Sequence, residues 1–152
     1  DRAGPECRIH DGVGDDRAIA LDERDAHEAP DELLVARVVR VDGEHQMDAV
    51  TAVSGSGPAY VFHLIETLAA AGATEGLPPD LAMQLAKATV AGAGALAEAS
   101  GESPAQLRIN VTSPGGTTAA ALAVLMDEET GFPPLLRRAV KAAADRGREL
   151  GK

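Results

Sequence analysis

Residues 112–118, with the sequence TSPGGTT, are the part of the chain whose residue types best suit chemistry. They combine hydroxyl side chains, a rigid proline and two glycines, and they lead directly into a predicted helix. Glycines can adopt positive φ and turn backbone N–H groups toward a shared concavity, while a helix start carries partial positive charge. Such an arrangement binds carboxylates or phosphates. From the residues alone two interpretations stay open: an anion site, or a helix start capped by Thr117 or Thr118.

A second glycine-rich segment, residues 54–60 with the sequence SGSGPAY, lacks the third glycine of a dinucleotide fingerprint. Gly12 and Gly14 fail the same test, because Arg17 stands where the third glycine should be and two acids precede it. That fingerprint needs three glycines at a strand-to-helix turn. The sequence therefore predicts no complete nucleotide-binding half in this chain. Segment 54–60 is more typical of a tight corner between helices than of a second anion site.

Composition excludes several other functions. His10, His27, His45 and His63 share no metal-ligand spacing, and the single Cys7 fits a reducing compartment, so we expect no metal site and a cytoplasmic location. The net charge of −10 argues against a nucleic-acid partner. No apolar run approaches the roughly 20 residues that cross a bilayer, so no membrane partner is expected.

The elements that must position the turn are predicted to be helices. The apolar fraction is 45% but aromatic residues make up only 2%, so alanine, leucine and valine must form the core. Small side chains let helices approach closely, whereas strands favour β-branched and aromatic residues. Prolines at 58, 79, 104 and 133 indicate helix starts, and Gly76 indicates a helix end. The predicted fold is an all-α bundle of five to six helices, with Phe62, Ile65 and Leu135 among the inward residues. Such a bundle can complete its core by associating with a second copy.

Residues 1–35 differ from the rest of the chain. They hold eleven acidic residues against four arginines, with isolated apolar residues and no sustained periodicity. Such a composition favours disorder, so 1–35 is predicted to be an acidic leader and 36–152 the domain. The β-branched residues between Leu33 and Val41 predict at most one short strand.

Residues 48–60 (DAVTAVSGSGPAY) together with residues 112–118 resemble the C-terminal domain of the pyrroline-5-carboxylate reductase family. Gly76-Leu77-Pro78 and the closing Arg148-Glu149-Leu150 also fit, so the resemblance covers roughly residues 38–150. It implies that 36–152 is a helical domain that dimerises or forms a larger oligomer. It also implies the last step of proline biosynthesis, the NAD(P)H-dependent reduction of 1-pyrroline-5-carboxylate to L-proline.

The resemblance further assigns roles to residues near the turn. It implies that the substrate carboxylate is held by Ser113, Gly115, Gly116 and Thr117, and that Thr118 lies near the ring nitrogen as the catalytic hydroxyl. Asn110, just before the turn, is assigned to the nicotinamide side of an NADP or NAD cofactor. Two function classes follow: an enzyme whose cofactor half is supplied elsewhere, or a catalytically silent assembly module left by truncation or frameshift.

Overall fold

The computed structural model describes residues 7–9, 17–21 and 39–151. Three short strands, β1 (Cys7–Ile9), β2 (Arg17–Leu21) and β3 (Val39–Val41), form an antiparallel sheet in that order. Strand β3 lies within the predicted strand, whereas β1 and β2 were not expected. Their apolar residues alternate with charged or small ones, the period of a strand, over stretches too short to stand out in the acidic leader. The remaining leader residues lie outside the described part.

The rest of the described chain is helical. A 3-10 turn at Glu44–Gln46 precedes α1 (Met47–Val50) and a π-helical turn (Thr51–Gly55). Then follow α2 (Gly57–Thr74), α3 (Pro79–Ala99), α4 (Pro104–Asn110), α5 (Thr117–Leu125) and α6 (Phe132–Leu150). The prediction of an all-α core of five to six helices is confirmed. None of these described helices combines the length and the apolar character that crossing a membrane requires.

The glycine-rich segment 54–60 does not form the predicted corner. The Ser56 N–H donates to the Thr51 carbonyl at 2.8 Å, a five-residue spacing that widens the helical turn. Ser56 itself keeps helical backbone angles, so the chain runs on into α2 without a break. The Tyr60 hydroxyl donates to the Ala52 carbonyl at 3.1 Å. This bond satisfies a carbonyl in the widened turn, which explains how the helix absorbs the extra residue.

Helices α2 and α3 pack against each other across a short connection. Gly76, at φ +97°, ends α2 in the left-handed conformation that glycine adopts without steric cost. The Leu77 N–H donates to the Gly72 carbonyl and the Gly76 N–H to the Ala73 carbonyl, both at 3.1 Å. This pair of bonds is a Schellman motif, which satisfies the last carbonyls of the helix. The predicted stop at Gly76 is therefore confirmed.

Among the described residues, the buried apolar side chains are all alanines: Ala52, Ala69, Ala82, Ala86 and Ala144. The larger apolar residues that were predicted to face inward do not. Ile65 is half-buried, but Leu135 is 47% exposed and Phe62 is 64% exposed. Alanines let α2 and α3 approach closely, and no further described layer covers the larger side chains of either helix. Phe62 and Leu135, which were predicted to face inward, are therefore not covered within one copy.

Helix α6 packs against α1 and the π-helical turn. The approach is so close that a Cβ on Gly147 would lie 2.7 Å from Oδ1 of Asp48. Its outer face carries ion pairs, in which Asp145 bonds Lys141 at 2.7 Å and also contacts Arg148. The Lys141 hydrogen bond, followed by the Arg148 one, lowers the pKa of Asp145 below its usual value. These pairs are exposed and contribute little to stability.

The connection from α5 to α6 is fixed by one carboxylate and one glycine. Oδ1 of Asp127 accepts from the Thr130 N–H at 2.7 Å, the Thr130 hydroxyl at 2.8 Å and the Glu129 N–H at 3.0 Å. The bond from the Thr130 hydroxyl, with the two N–H bonds, lowers the pKa of Asp127. Gly131 is buried, and a Cβ there would lie 2.5 Å from the Leu125 carbonyl and 2.6 Å from that of Asp127.

The substitution Gly131→Ala should therefore lower the free energy of unfolding by about 2–3 kcal/mol, because the rigid backbone carbonyls cannot yield to the methyl group. Gly101→Ala is the matched control, since a Cβ there meets no atom within 4 Å. It should change stability by less than about 0.5 kcal/mol. Urea unfolding at one fixed protein concentration measures both. Equal effects of the two substitutions would contradict the close packing at Gly131.

Candidate functional site

The turn between α4 and α5 is built by its proline and glycines. The Gly116 N–H donates to the Ser113 carbonyl at 3.1 Å, which closes a four-residue turn with Pro114 and Gly115 at its centre. Gly115 has φ +68°, a left-handed conformation. Proline at the second position and a positive φ at the third are the signature of a type II turn, which explains the order Ser-Pro-Gly-Gly.

Gly116 is the N-cap of α5, and no side chain caps this helix. The prediction that Thr117 or Thr118 supplies a cap is wrong, because both threonines lie within the first turn of α5. The Gly116 carbonyl accepts from the Ala120 N–H at 3.2 Å, while the N–H groups of residues 117–119 meet no acceptor in the described part of the chain. Three donors thus point out of the helix start, where the helix dipole is positive.

The hydroxyl groups around the turn fall into two sets. Thr112 uses its hydroxyl for the fold, since it donates to the Arg108 carbonyl at 2.6 Å. Ser113, Thr117 and Thr118 make no side-chain hydrogen bond to any residue that the structure describes. A Cβ on Gly116 would lie 2.5 Å from Oγ of Ser113, so the glycine makes room for that hydroxyl. Thr118 is half-buried, and the other two hydroxyl residues are exposed.

The electrostatics of this region favour an anion. Residues 103–126 contain no Asp or Glu, although the whole chain carries a net charge of −10. Free backbone N–H groups, free hydroxyls and a helix N-terminus therefore meet in a stretch of chain without negative charge. Such donors hold a small anionic group such as a carboxylate or a phosphate.

Asn110, the last residue of α4, is engaged elsewhere. Its Nδ2 donates to Oε2 of Glu102 at 2.7 Å, and its Oδ1 accepts from Nε2 of Gln106 at 2.8 Å. The structure therefore brings Ser113, Gly116 and the two threonines together but directs the Asn110 amide along α4. Glu102 and Gln106 were not among the predicted site residues. The four-residue spacing from Gln106 to Asn110, which pairs side chains on one helix face, was the signal for the second of them.

A dinucleotide cofactor needs a cradle for its phosphates, and residues 39–151 do not form one. Gly55 and Gly57 lie in helical backbone, and Gly115 and Gly116 follow a helix instead of a strand. The described residues thus do not fit the phosphate half of NADP or NAD. They also contain no group of three His, Cys, Asp or Glu side chains that could hold a metal ion.

Alanine-packed helices with exposed apolar faces define a class of protein, a helical domain whose larger apolar side chains are left uncovered in the described part of one copy. A family profile described as "Pyrroline-5-carboxylate reductase dimerisation" matches residues 44–150. The chain therefore belongs to the pyrroline-5-carboxylate reductase family. The match contains both glycine-rich segments and all of α1 to α6.

Relatives in other organisms agree with this assignment. The pyrroline-5-carboxylate reductase of Synechocystis is 52% identical over 118 residues, which are 78% of this chain and 43% of that protein. The pea (Pisum sativum) reductase is 54% identical over 103 residues, 68% of this chain and 37% of that protein. The chain thus spans about two fifths of the length of these curated relatives.

Solved structures show the same helical domain. The Coxiella burnetii pyrroline-5-carboxylate reductase aligns with TM-score 0.69 at 42% identity, covering 74% of this chain and 41% of that one. The NADP-bound Plasmodium falciparum pyrroline carboxylate reductase aligns with TM-score 0.67 at 37% identity, covering 72% and 44%. The aligned part of this chain therefore has the fold of the corresponding part of these reductases.

Because Thr118 does not cap α5, Thr118→Ala should change the free energy of unfolding by less than about 0.5 kcal/mol, the usual range for a site without special contacts. Gly115→Ala should cost about 1–2 kcal/mol, because alanine is strained at the positive φ of that position. Urea unfolding of the two variants beside the parent chain measures the difference. A loss of 1 kcal/mol or more in Thr118→Ala would restore the capping role.

Proposed function

We propose that this chain is the substrate-binding and dimerisation part of a pyrroline-5-carboxylate reductase. The reaction is the reduction of 1-pyrroline-5-carboxylate to L-proline, with NADPH or NADH as the hydride donor. The single observation that carries the proposal is the set of free donors at the turn, namely the N–H groups of residues 117–119 and the hydroxyls of Ser113, Thr117 and Thr118. The reductases to which the chain is similar supply the identity of the substrate.

The substrate is a five-membered cyclic imine that carries one carboxylate. The N–H groups at the start of α5 and the Ser113 hydroxyl hold the carboxylate, with Gly115 and Gly116 leaving the backbone open to it. A side chain at Gly116 would displace the Ser113 hydroxyl, which lies 2.5 Å from the position of such a Cβ. The helix dipole adds a favourable interaction with the anion of about 0.3–1 kcal/mol.

Thr118 lies in the first turn of α5, and its hydroxyl is the candidate partner of the ring nitrogen. The nitrogen gains a proton when the neighbouring carbon gains a hydride, so a hydrogen-bonding group must orient it. A threonine hydroxyl has a pKa far above neutrality and is a weak acid by itself. Thr118 therefore positions the imine, and a water molecule relays the proton.

The same chain is proposed to form a homodimer or a larger oligomer. Support comes from the exposed apolar residues on α2 and α5, such as Phe62 (64% exposed) and Val124 (71% exposed), and from the dimerisation profile that the chain matches. These surfaces would serve a catalytically silent assembly module equally well, so that function is the second candidate. The predicted cytoplasmic location stays a prediction.

A domain exchange tests the proposal. Residues 44–150 replace the corresponding domain of the Synechocystis reductase, with which the chain shares 52% identity, and NADPH oxidation by 1-pyrroline-5-carboxylate is followed. The chimera should be active. Thr118→Ala should lower kcat about 30- to 150-fold, the effect of losing a transition-state hydrogen bond of roughly 2–3 kcal/mol. Gly116→Ala should mainly raise KM for the imine, because it crowds the carboxylate site.

Thr67→Ala is the control, since the Thr67 hydroxyl bonds only to carbonyls of its own helix and should leave turnover unchanged. If Thr118→Ala keeps full turnover in a folded chimera, the proposed role of Thr118 is wrong. A folded, oligomeric chimera that has no activity even with the native turn would favour the assembly module.

A further inference from the structure

Three polar side chains at α4 and just before its start form a continuous chain of hydrogen bonds, which we call the α4 network: Glu102, Gln106 and Asn110. Gln106 donates to Asn110 at 2.8 Å, and Asn110 donates to Glu102 at 2.7 Å. The chemistry of the groups fixes the orientation of the amide. A carboxylate only accepts, so the Asn110 atom that faces Glu102 must be Nδ2, and Oδ1 is left to accept from Gln106.

Helix α4 needs this support because it has only seven residues. Isolated helices of that length are unstable in water, and no extensive packing partner of α4 lies in the described part of the chain. Its first turn is held by Ser103, whose hydroxyl accepts from the Gln106 N–H at 3.2 Å. Its last turn is held by the Thr112 hydroxyl and by the network, which ties Asn110 back to Glu102 before the helix begins.

The end of α4 is also where the turn begins, since only Val111 and Thr112 separate Asn110 from Ser113. Fraying of the last turn of α4 would move the Ser113 carbonyl, which accepts the Gly116 N–H and so closes the turn. The α4 network can therefore affect the turn through the backbone, although none of its side chains lies in the turn.

We propose that Asn110 is a positioning residue that holds the Ser-Pro-Gly-Gly turn in place through Glu102 and Gln106, in contrast to the contact with the nicotinamide that the family resemblance implies. The inference rests on the proposed function only in taking this turn as the substrate site. The network itself is a property of the fold and can be tested without substrate.

Reversing the polarity of the hydrogen bond between Asn110 and Glu102 distinguishes a positioning role of Asn110 from a contact with the nicotinamide. Asn110→Asp keeps the shape of the side chain but places a second carboxylate beside Glu102, so the two repel each other. Adding Glu102→Gln supplies an amide that can donate to the new carboxylate, which restores the network with the opposite polarity. Glu102→Gln alone keeps an acceptor for Asn110. An amide needed for contact with a cofactor would not be restored by a change at Glu102.

The readout is hydrogen exchange of the Gly116 amide, measured by NMR on the full chain. In Asn110→Asp this exchange should be at least about fivefold faster, the effect of losing one hydrogen bond. The double variant and Glu102→Gln should stay within about twofold of the parent chain. Gln84→Glu on α3 adds the same charge at an exposed site and should leave the Gly116 amide unchanged. If Asn110→Asp does not fold, Glu102→Ala tests the same bond with the same expected direction.

The proposal is overturned if Asn110→Asp leaves the Gly116 amide unchanged, if amides of α3 accelerate equally, or if Glu102→Gln gives no rescue. A second arm titrates L-proline, the product, and follows the resonances of Gly115 and Gly116. Binding should weaken in Asn110→Asp and recover in the double variant. A parent chain that shows no saturable L-proline binding would count against the proposed function, while the exchange measurement would still decide the role of Asn110.

Discussion

Among the residues that the structure describes, the only fully buried apolar side chains are alanines, and this constraint governs the rest of the domain. Alanines such as Ala82 and Ala86 let α2 and α3 pack closely but bury little apolar area. Leucine, valine and phenylalanine side chains stay exposed on α2, α3, α5 and α6. Covering ten such side chains would contribute on the order of 10 kcal/mol, if each gains about half of its full burial energy. Both copies of a dimer bury such side chains, so the gain can exceed the cost of associating two proteins, which is about 4–15 kcal/mol.

The candidate site depends on the same constraint. The turn at residues 113–118 lies between α4 and α5, and neither helix packs extensively against another described element. Within one copy the conformation of the turn is therefore fixed mostly by local hydrogen bonds, namely those of the type II turn, of the Thr112 hydroxyl and of the α4 network. A partner that covers the apolar face of α5, where Val124 is 71% exposed, would fix that helix from the other side. Association and substrate binding would then stabilise the same segment.

Much of the fold could be predicted because prolines and glycines mark local conformations that depend on few other residues. Helices α3 and α4 start at Pro79 and Pro104, because proline has a fixed φ that suits the first helical turn. Helix α2 ends before Gly76, because glycine tolerates the positive φ found there. The π-helical turn was missed, since it depends on a bond from Tyr60 back to Ala52 that no periodicity reveals. Periodicity identified the apolar faces of the helices. It could not show whether the same copy or another one covers them.

In the described part of the chain one copy leaves its larger apolar side chains uncovered, and we expect it to pair with another copy. Sedimentation equilibrium of the full chain, over concentrations from about 1 to 100 µM, tests it most directly, because an obligate interface persists throughout that range. We expect the mass of a dimer or of a larger assembly, well above the 15.6 kDa of one copy. A folded monomer at about 100 µM would contradict it.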